Sequence, residues 1–279
     1  MLRYKKIKEE RTTKEFKVAH IVPVSHLADT VDNQYHMCLA HLVSCTEYKE
    51  HFAEMAKRGK FVLMDNGAAE GSQLDFDKLF EMYEEINPTE IVLPDTLYES
   101  GSTIQKAREF LVEMERRGVK YRTMAVPQGR TFAEWMACAR ILIKDTRINS
   151  IGVSKFLNIT TQDRYVRFKA CDVIYGLIQE YGRYDLEVHL LGCDEGPLVV
   201  KMCQEAYPFV RGCDSAFSYL QAQAKKMMSL KNDERPAGTI DFINGARQDN
   251  LTKYMENFNQ FAGVKSNLDD DSWRAENNG

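Results

Sequence analysis

The sequence lacks the features that mark membrane and secreted proteins. It contains no apolar run of about 18 residues, the length that a membrane-spanning helix requires. Its first residues, MLRYKKIKEERTTKEF, are charged and have no apolar core, so they do not indicate a secretory signal. These absences predict a protein that has no membrane partner.

The cysteines also lack the pattern of a disulfide framework. There are seven, an odd number, and no two stand at Cys-x-x-Cys spacing. This pattern argues against disulfides and against a cysteine-rich zinc site, and it predicts free, buried thiols in a reducing compartment. We therefore expect a cytoplasmic protein. The net charge of −4 does not favour a polyanionic partner, but binding one needs only a local basic face.

Short apolar, β-rich runs alternate with longer segments of helical period along the chain. The predicted strands cover residues 17–24, 60–64, 90–94, 121–126, 149–153, 186–191, 208–212 and 238–243. The predicted helices cover residues 76–85, 102–117, 132–143, 165–181, 197–206 and 217–228. Nearly continuous apolar strands joined by helices predict a parallel sheet that is buried on both faces.

Two architectures fit this alternation, a closed (β/α)₈ TIM-type barrel and an open doubly wound sheet. Eight strands favour the barrel, and no Gly-x-Gly-x-x-Gly motif follows the first strand to support a dinucleotide fold. We predict one barrel domain over residues 1–265, with a helical insertion at residues 30–51 after the first strand. Residues 266–279 are acidic and polar, and they predict a disordered tail.

Polar residues follow the predicted strands, where a barrel carries its active site. A strand-end aspartate can simply cap the next helix, and we interpret Asp194 in that way because Pro197 suits a first helical turn. Two carboxylates facing one substrate suit glycosyl chemistry, and a third carboxylate with an amide suits recognition of a heterocycle edge. The candidates are Asp65, Asp95, Gln128, Asp214 and the glycines Gly152 and Gly192.

These motifs, in their order from about Phe61 to Tyr219, resemble the guanine transglycosylase superfamily. They are MDNGA, LPDT, VPQG, SIGVS, HLLG and GCDSAF. The resemblance implies Asp214 as the nucleophile and Asp65 as the general acid/base. It implies base-binding roles for Asp95, Gln128, Gly152, Val153, Leu191 and Gly192.

The implied reaction replaces guanine in a nucleic acid by a 7-deazaguanine base through a covalent aspartyl-glycosyl intermediate. The free base is the co-substrate, and no metal or other cofactor is expected. No three-cysteine, one-histidine zinc site follows Cys213, so zinc and its subdomain are not expected. This absence is typical of the phage and bacterial branch that acts on DNA, in the host cytoplasm if the protein is phage-encoded.

Several alternatives remain open at this point. The substrate could be tRNA, the barrel could bind nucleic acid or bases without catalysis, or the carboxylates could belong to an unrelated glycoside hydrolase. Lys155 and Arg164 are the candidates for contacts to a nucleic-acid backbone, and a solvated helix face explains each equally well. A homodimer is also possible.

Overall fold

The computed structural model describes residues 16–71, 74–163, 165–193, 196–229 and 235–264. The predicted acidic tail, the capping residue Asp194 and the candidate Arg164 lie outside these ranges.

Eight parallel strands form one sheet within the described residues. The strands are β1 (Lys17–His20), β2 (Tyr35–Cys38), β3 (Phe61–Met64), β4 (Glu90–Val92), β5 (Arg122–Ala125), β6 (Ser150–Ser154), β7 (Glu187–Leu191) and β8 (Val210–Ser215). The hydrogen-bonded order is β1-β8-β7-β6-β5-β4-β3-β2, and β1 lies next to β2, which nearly closes the sheet. The chain is a (β/α)₈ TIM-type barrel, as predicted, although one of the eight strands is not among those predicted.

Helices surround the sheet in the described ranges, and six of them correspond to predicted segments. They are α1 (Thr46–Lys57), α2 (Phe76–Ile86), α3 (Ser100–Arg117), α4 (Phe132–Ile143), α5 (Phe156–Thr161), α6 (Val166–Tyr181), α7 (Pro197–Ala206), α8 (Phe217–Ala224) and α9 (Leu251–Ala262). Side-chain oxygens of Asp75 and Thr131 accept backbone N–H groups at the starts of α2 and α4. None of the helices in the described ranges has the length and apolar character needed to cross a bilayer.

Two sequence predictions about the barrel are wrong. Residues 30–51, predicted as a helical insertion, contain strand β2, which pairs with β3 from Tyr35 opposite Phe61 to Cys38 opposite Met64. Residues 238–243, predicted as a strand, form no strand. Asp241 accepts the N–H groups of Ile243 and Asn244, which makes a turn, while Ile240 and Phe242 reach the end of the barrel. The predicted free, buried cysteines are confirmed: all seven are free, and only Cys45 is partly exposed.

Charged side chains fill the amino-terminal end of the barrel interior. We call Glu90, Arg122, Glu187 and Arg211 the basal ion cluster. Arg211 bridges the carboxylates of Glu90 and Glu187, and Arg122 donates to Glu187 at 2.8 Å. Glu90 is fully buried and also accepts the Ser150 hydroxyl at 2.8 Å. Each buried carboxylate is therefore paired, which is the condition under which a protein interior tolerates charge.

The cluster predicts a large effect of removing its central cation. Arg211→Met should lower the free energy of unfolding by about 3–5 kcal/mol, because Glu90 and Glu187 lose a buried partner. Urea denaturation of the variant and the wild type measures this difference. Arg116→Met, which removes an exposed cation paired with Glu113 on α3, is the matched control and should change the midpoint little. Equal midpoints for Arg211→Met and the wild type would contradict the cluster's role.

Candidate active site

A cavity of about 240 Å³ opens at the carboxyl ends of the strands. One part of its wall is apolar and includes Ile21, Met37, Val92, Val126 and Phe242. Its polar lining consists of Asp65, Asn66, Asp95, Gln128, Ser154, Lys155, Asp214 and Arg235. These residues come from loops and strand ends that are far apart in the sequence, and the parallel barrel brings them together because all its strands end on the same side.

Asp95 is held by two amide side chains at the end of β4. Asn66 donates to one of its carboxyl oxygens at 2.7 Å, and Gln128 donates to the other at 2.6 Å. The Asn66 carbonyl accepts the N–H of Ala68, and the Gln128 carbonyl accepts the N–H of Tyr98, so both amides have a defined orientation. Burial raises the pKa of Asp95 to about 6, against the opposing effect of the two amides. A carboxyl group with this pKa can exchange protons near neutral pH.

Asp214 lies deeper, in the last part of β8, and is 4% exposed. Its carboxylate accepts the Nε2–H of His189 at 3.0 Å and the backbone N–H of Gly192, which is 3.0 Å from each oxygen. Gly192 has a φ of 65°, and a Cβ at this position would lie 2.7 Å from Cδ of Lys155. Glycine at 192 therefore lets the backbone turn toward Asp214 while the Lys155 side chain lies against it.

An irregularity in β8 directs Asp214 into the barrel. Val188 of β7 is opposite Val210, but the next residue, His189, is opposite Gly212, so Arg211 is an extra residue on β8. In a regular strand, Arg211 and Asp214 would point to opposite faces because they are three positions apart. The bulge changes this alternation, and both side chains reach the interior, Arg211 toward Glu187 and Asp214 toward His189.

The remaining charged groups lie around the opening of the cavity. Asp65 follows β3, is partly exposed, and accepts the N–H of Gly67 at 3.1 Å. Lys155 follows β6, and its backbone N–H donates to the Leu191 carbonyl at 3.0 Å. Arg235 lies on the segment after α8. Three carboxyl groups and two cationic side chains thus share one small cavity.

Most of the candidates predicted from the sequence reach this cavity. Asp65, Asp95, Gln128, Lys155, Leu191, Gly192 and Asp214 line it. Gly152 lies under it, since an added Cβ would be 2.6 Å from the Leu191 side chain. Val153 is fully buried and is not part of the cavity lining. Two residues of the site were not predicted from the sequence. Asn66 directly follows Asp65, and His189 lies in mid-strand, where nothing in the sequence signals a role.

The described residues contain no group of three or more histidine, cysteine, aspartate or glutamate side chains that could hold a metal ion.

Known proteins resemble this chain in fold. The YdjI aldolase from Escherichia coli K12 is 9% identical, and the match covers 80% of this chain and 83% of that protein with a TM-score of 0.51. An HpcH/HpaI aldolase/citrate lyase family protein from Burkholderia cenocepacia J2315 is 7% identical, and the match covers 80% and 96% of the two chains with a TM-score of 0.50. The shared feature is the barrel. No family model and no curated protein sequence matches the chain.

These comparisons overturn the predicted family. The two similar structures are an aldolase and an aldolase/citrate lyase family protein, so the assignment to the guanine transglycosylases is wrong, and so is the glycosyltransferase activity on DNA. The tRNA and non-catalytic nucleic-acid alternatives are not supported either. The physical reason is that polar strand ends and glycines recur in barrels of many activities. Such short motifs identified the rim of the barrel but not its chemistry.

The shifted pKa of Asp95 has a consequence for stability. Asp95 binds its proton more tightly in the folded state than in the unfolded chain, where its pKa is about 3.9. Its stabilising contribution is therefore fully present below about pH 4 and is lost as the pH rises through about 6. Asp95→Asn cannot titrate, so the stability of the wild type relative to this variant should fall over that interval and then level off.

Urea denaturation at a series of pH values measures this difference. Asp77→Asn, which removes an exposed carboxylate from α2, controls for the loss of one negative charge. Wild-type and Asp95→Asn curves that run parallel from pH 4 to 7 would contradict the assignment.

Proposed function

We propose that this chain is a lyase-type enzyme that breaks or forms a carbon–carbon bond next to a carbonyl group, as aldolases do. The observation that carries the proposal is the combination in one cavity of Asp95, with a pKa of about 6, and the amine of Lys155. The barrel likeness to two aldolase-type proteins agrees with this chemistry, although at 7–9% identity it concerns the fold alone.

Cleavage of a β-hydroxy carbonyl compound requires three things of a protein. A base takes the proton of the hydroxyl group, and the electrons of that O–H bond form a new carbonyl. The carbon–carbon bond then breaks, and its electrons generate an enolate whose oxygen carries the negative charge. Finally, an acid delivers a proton to the enolate carbon, so that one proton has moved from oxygen to carbon overall.

The residues of the cavity can be assigned to these steps. Asp214 accepts hydrogen bonds from His189 and Gly192 and serves as the base for the hydroxyl proton. Lys155 supplies positive charge for the enolate oxygen. Asp95, in its protonated form, supplies the proton to carbon, which suits a carboxyl group with a pKa of about 6.

The dimensions of the cavity favour a small substrate. Its volume of about 240 Å³ lies below the range of about 300–1,000 Å³ that is usual for drug-sized ligands. A second cavity of about 240 Å³ shares Asn66, Ala68, Asp95 and Leu97 with the first. It is lined by Leu74, Phe76, Leu79 and Lys106, among others, and could accommodate an apolar extension of the substrate.

Exchange of carbon-bound hydrogen with solvent tests the proposal without knowledge of the natural substrate. Small ketones, 2-oxo acids and β-hydroxy carbonyl compounds are incubated with the protein in D₂O and followed by proton NMR. At least one compound should show exchange next to its carbonyl group or cleavage. Lys155→Met should reduce the rate by about 10²–10³, the usual effect of removing one group that stabilises an oxyanion. Lys201→Met, on the outer helix α7, is the control and should retain the rate.

Absence of exchange and of cleavage across the whole panel, with folded protein, would contradict the proposal. Borohydride reduction in the presence of an active compound separates two roles of Lys155. The charge-stabilising role predicts no covalent adduct, and reduction onto Lys155 would show an imine in its place.

The rate should also depend on pH in a defined direction. Asp95 acts as an acid, and its protonated fraction decreases as the pH rises through about 6. The rate of proton delivery to carbon should therefore fall above this pH. Asp95→Asn should retain only a low rate, and that rate should not decline over the same pH interval. A wild-type rate that rises steadily from pH 5 to 8 would show that Asp95 is not the acid.

A further inference from the structure

Three side chains in the barrel interior, Asp214, His189 and Tyr35, form a continuous hydrogen-bonded series below the cavity, which we call the file. The Asp214 carboxylate is 3.0 Å from Nε2 of His189, and Nδ1 of His189 is 2.8 Å from the hydroxyl oxygen of Tyr35. The charge of Arg211, which belongs to the basal ion cluster, acts on the Tyr35 hydroxyl from nearby. His189 is fully buried, and Tyr35 and Asp214 are 2% and 4% exposed. The file therefore connects the cavity at the carboxyl end of the barrel with the ion cluster at its amino-terminal end.

The hydrogen bonds of this file have one direction. Burial raises the pKa of Tyr35 well above its usual value, so the phenol stays protonated. Its O–H group therefore donates a hydrogen bond to Nδ1 of His189. Burial also lowers the pKa of His189, so the ring is neutral and carries its single proton on Nε2. The ring then donates a hydrogen bond to Asp214. The positive charge of Arg211 lies near the Tyr35 hydroxyl. Tyr35 and His189 thus both donate their hydrogen bonds in the direction of the cavity.

This arrangement is unusual for the interior of a barrel, which bulky apolar side chains generally fill. Burying a phenol, an imidazole and a carboxylate costs desolvation, and apolar side chains of similar volume would avoid this cost. The bulge at Arg211 is a second feature that serves the file, because it places Arg211 and Asp214 on the same face of β8. Packing requires neither the bulge nor the polar file.

We propose that His189 and Tyr35 are positioning residues that hold the Asp214 carboxylate in place and tune it as a base from below the cavity. The proposal rests on the proposed function in that Asp214 is taken to be the base. His189 is faced by Tyr35 from β2, Glu90 from β4, and Arg211 and Asp214 from β8. The Cys213 thiol is close to Asp214. Asp65, Asp95, Lys155 and Arg235 share the cavity with Asp214.

The hydrogen-bond order can be tested without any activity. In protein labelled with ¹⁵N-histidine, the His189 resonances are identified by their absence from the spectrum of His189→Gln. The file predicts that Nε2 carries the proton at neutral pH and that Nδ1 has the shift of an unprotonated, hydrogen-bonded nitrogen. Tyr35→Phe should move the Nδ1 resonance toward that of a nitrogen without a donor. Tyr83→Phe, which removes another buried tyrosine hydroxyl, should leave it in place.

The rate–pH profile tests whether His189 tunes the Asp214 carboxylate as a base. His189→Leu removes the donor to Asp214, so the acid limb of the rate–pH profile should move up by about one pH unit, the size expected for a hydrogen bond to a charged group. His189→Gln retains an N–H donor, so its acid limb should lie close to the wild-type position. Thermal unfolding of each variant shows whether the barrel is intact, and Tyr35→Phe should give a smaller shift in the same direction.

The outcomes separate this inference from the proposed function. A His189 ring protonated on Nδ1, or doubly protonated at neutral pH, would overturn the file whatever the activity. The inference is also overturned if His189→Leu lowers the rate but leaves the acid limb in place, because the ring would then act through packing alone. If no compound reacts, the proposed function fails, and the Asp214 carboxyl ¹³C resonance serves as the readout. The inference then requires that this resonance move in His189→Leu more than in His189→Gln.

Discussion

The pairing of Arg211 with Glu90 and Glu187 is the interaction on which the interior of this barrel depends. Two carboxylates could not remain charged inside the sheet without a buried cation. The same arginine lies near the hydroxyl of Tyr35, and Tyr35 donates to His189, so the cation at one end of the barrel is next to the groups that lead to Asp214 at the other. The site and the stability of the core are therefore physically connected.

The two halves of the site use different environments for similar groups. Asp95 lies near the surface of the cavity between two neutral amides, and desolvation outweighs their hydrogen bonds, so its carboxyl group holds a proton up to about pH 6. Asp214 accepts from a histidine ring and a backbone N–H and is connected through the ring to the basal ion cluster. Two carboxyl groups in different surroundings are the usual means by which one site provides both an acid and a base.

Much of the fold could be predicted from the sequence, because apolar runs and helical periods report burial directly. The helices α2, α3, α4, α6 and α7 were predicted within a few residues, whereas the short helix α5 was not predicted. The β2 segment Tyr35–Cys38 was missed because four residues carry little periodic signal and the apolar residues after it continue a helix-like pattern. Residues 238–243 show the opposite error, because a strand was predicted there and does not form. Their alternating Ile240 and Phe242 suit a strand, but they cover the end of the barrel instead.

The sequence by itself determined the barrel and the rim on which its polar residues gather, since strand ends in a parallel barrel share one side. It did not determine the chemistry, because short motifs at strand ends are compatible with many activities. The partners of Asp214 were decided only in three dimensions. His189 is 25 residues from Asp214 and Tyr35 is 154 residues from His189, so no local pattern links them. The bulge at Arg211 reverses the side-chain alternation that a sequence analysis assumes, and only the pairing of β7 with β8 reveals it.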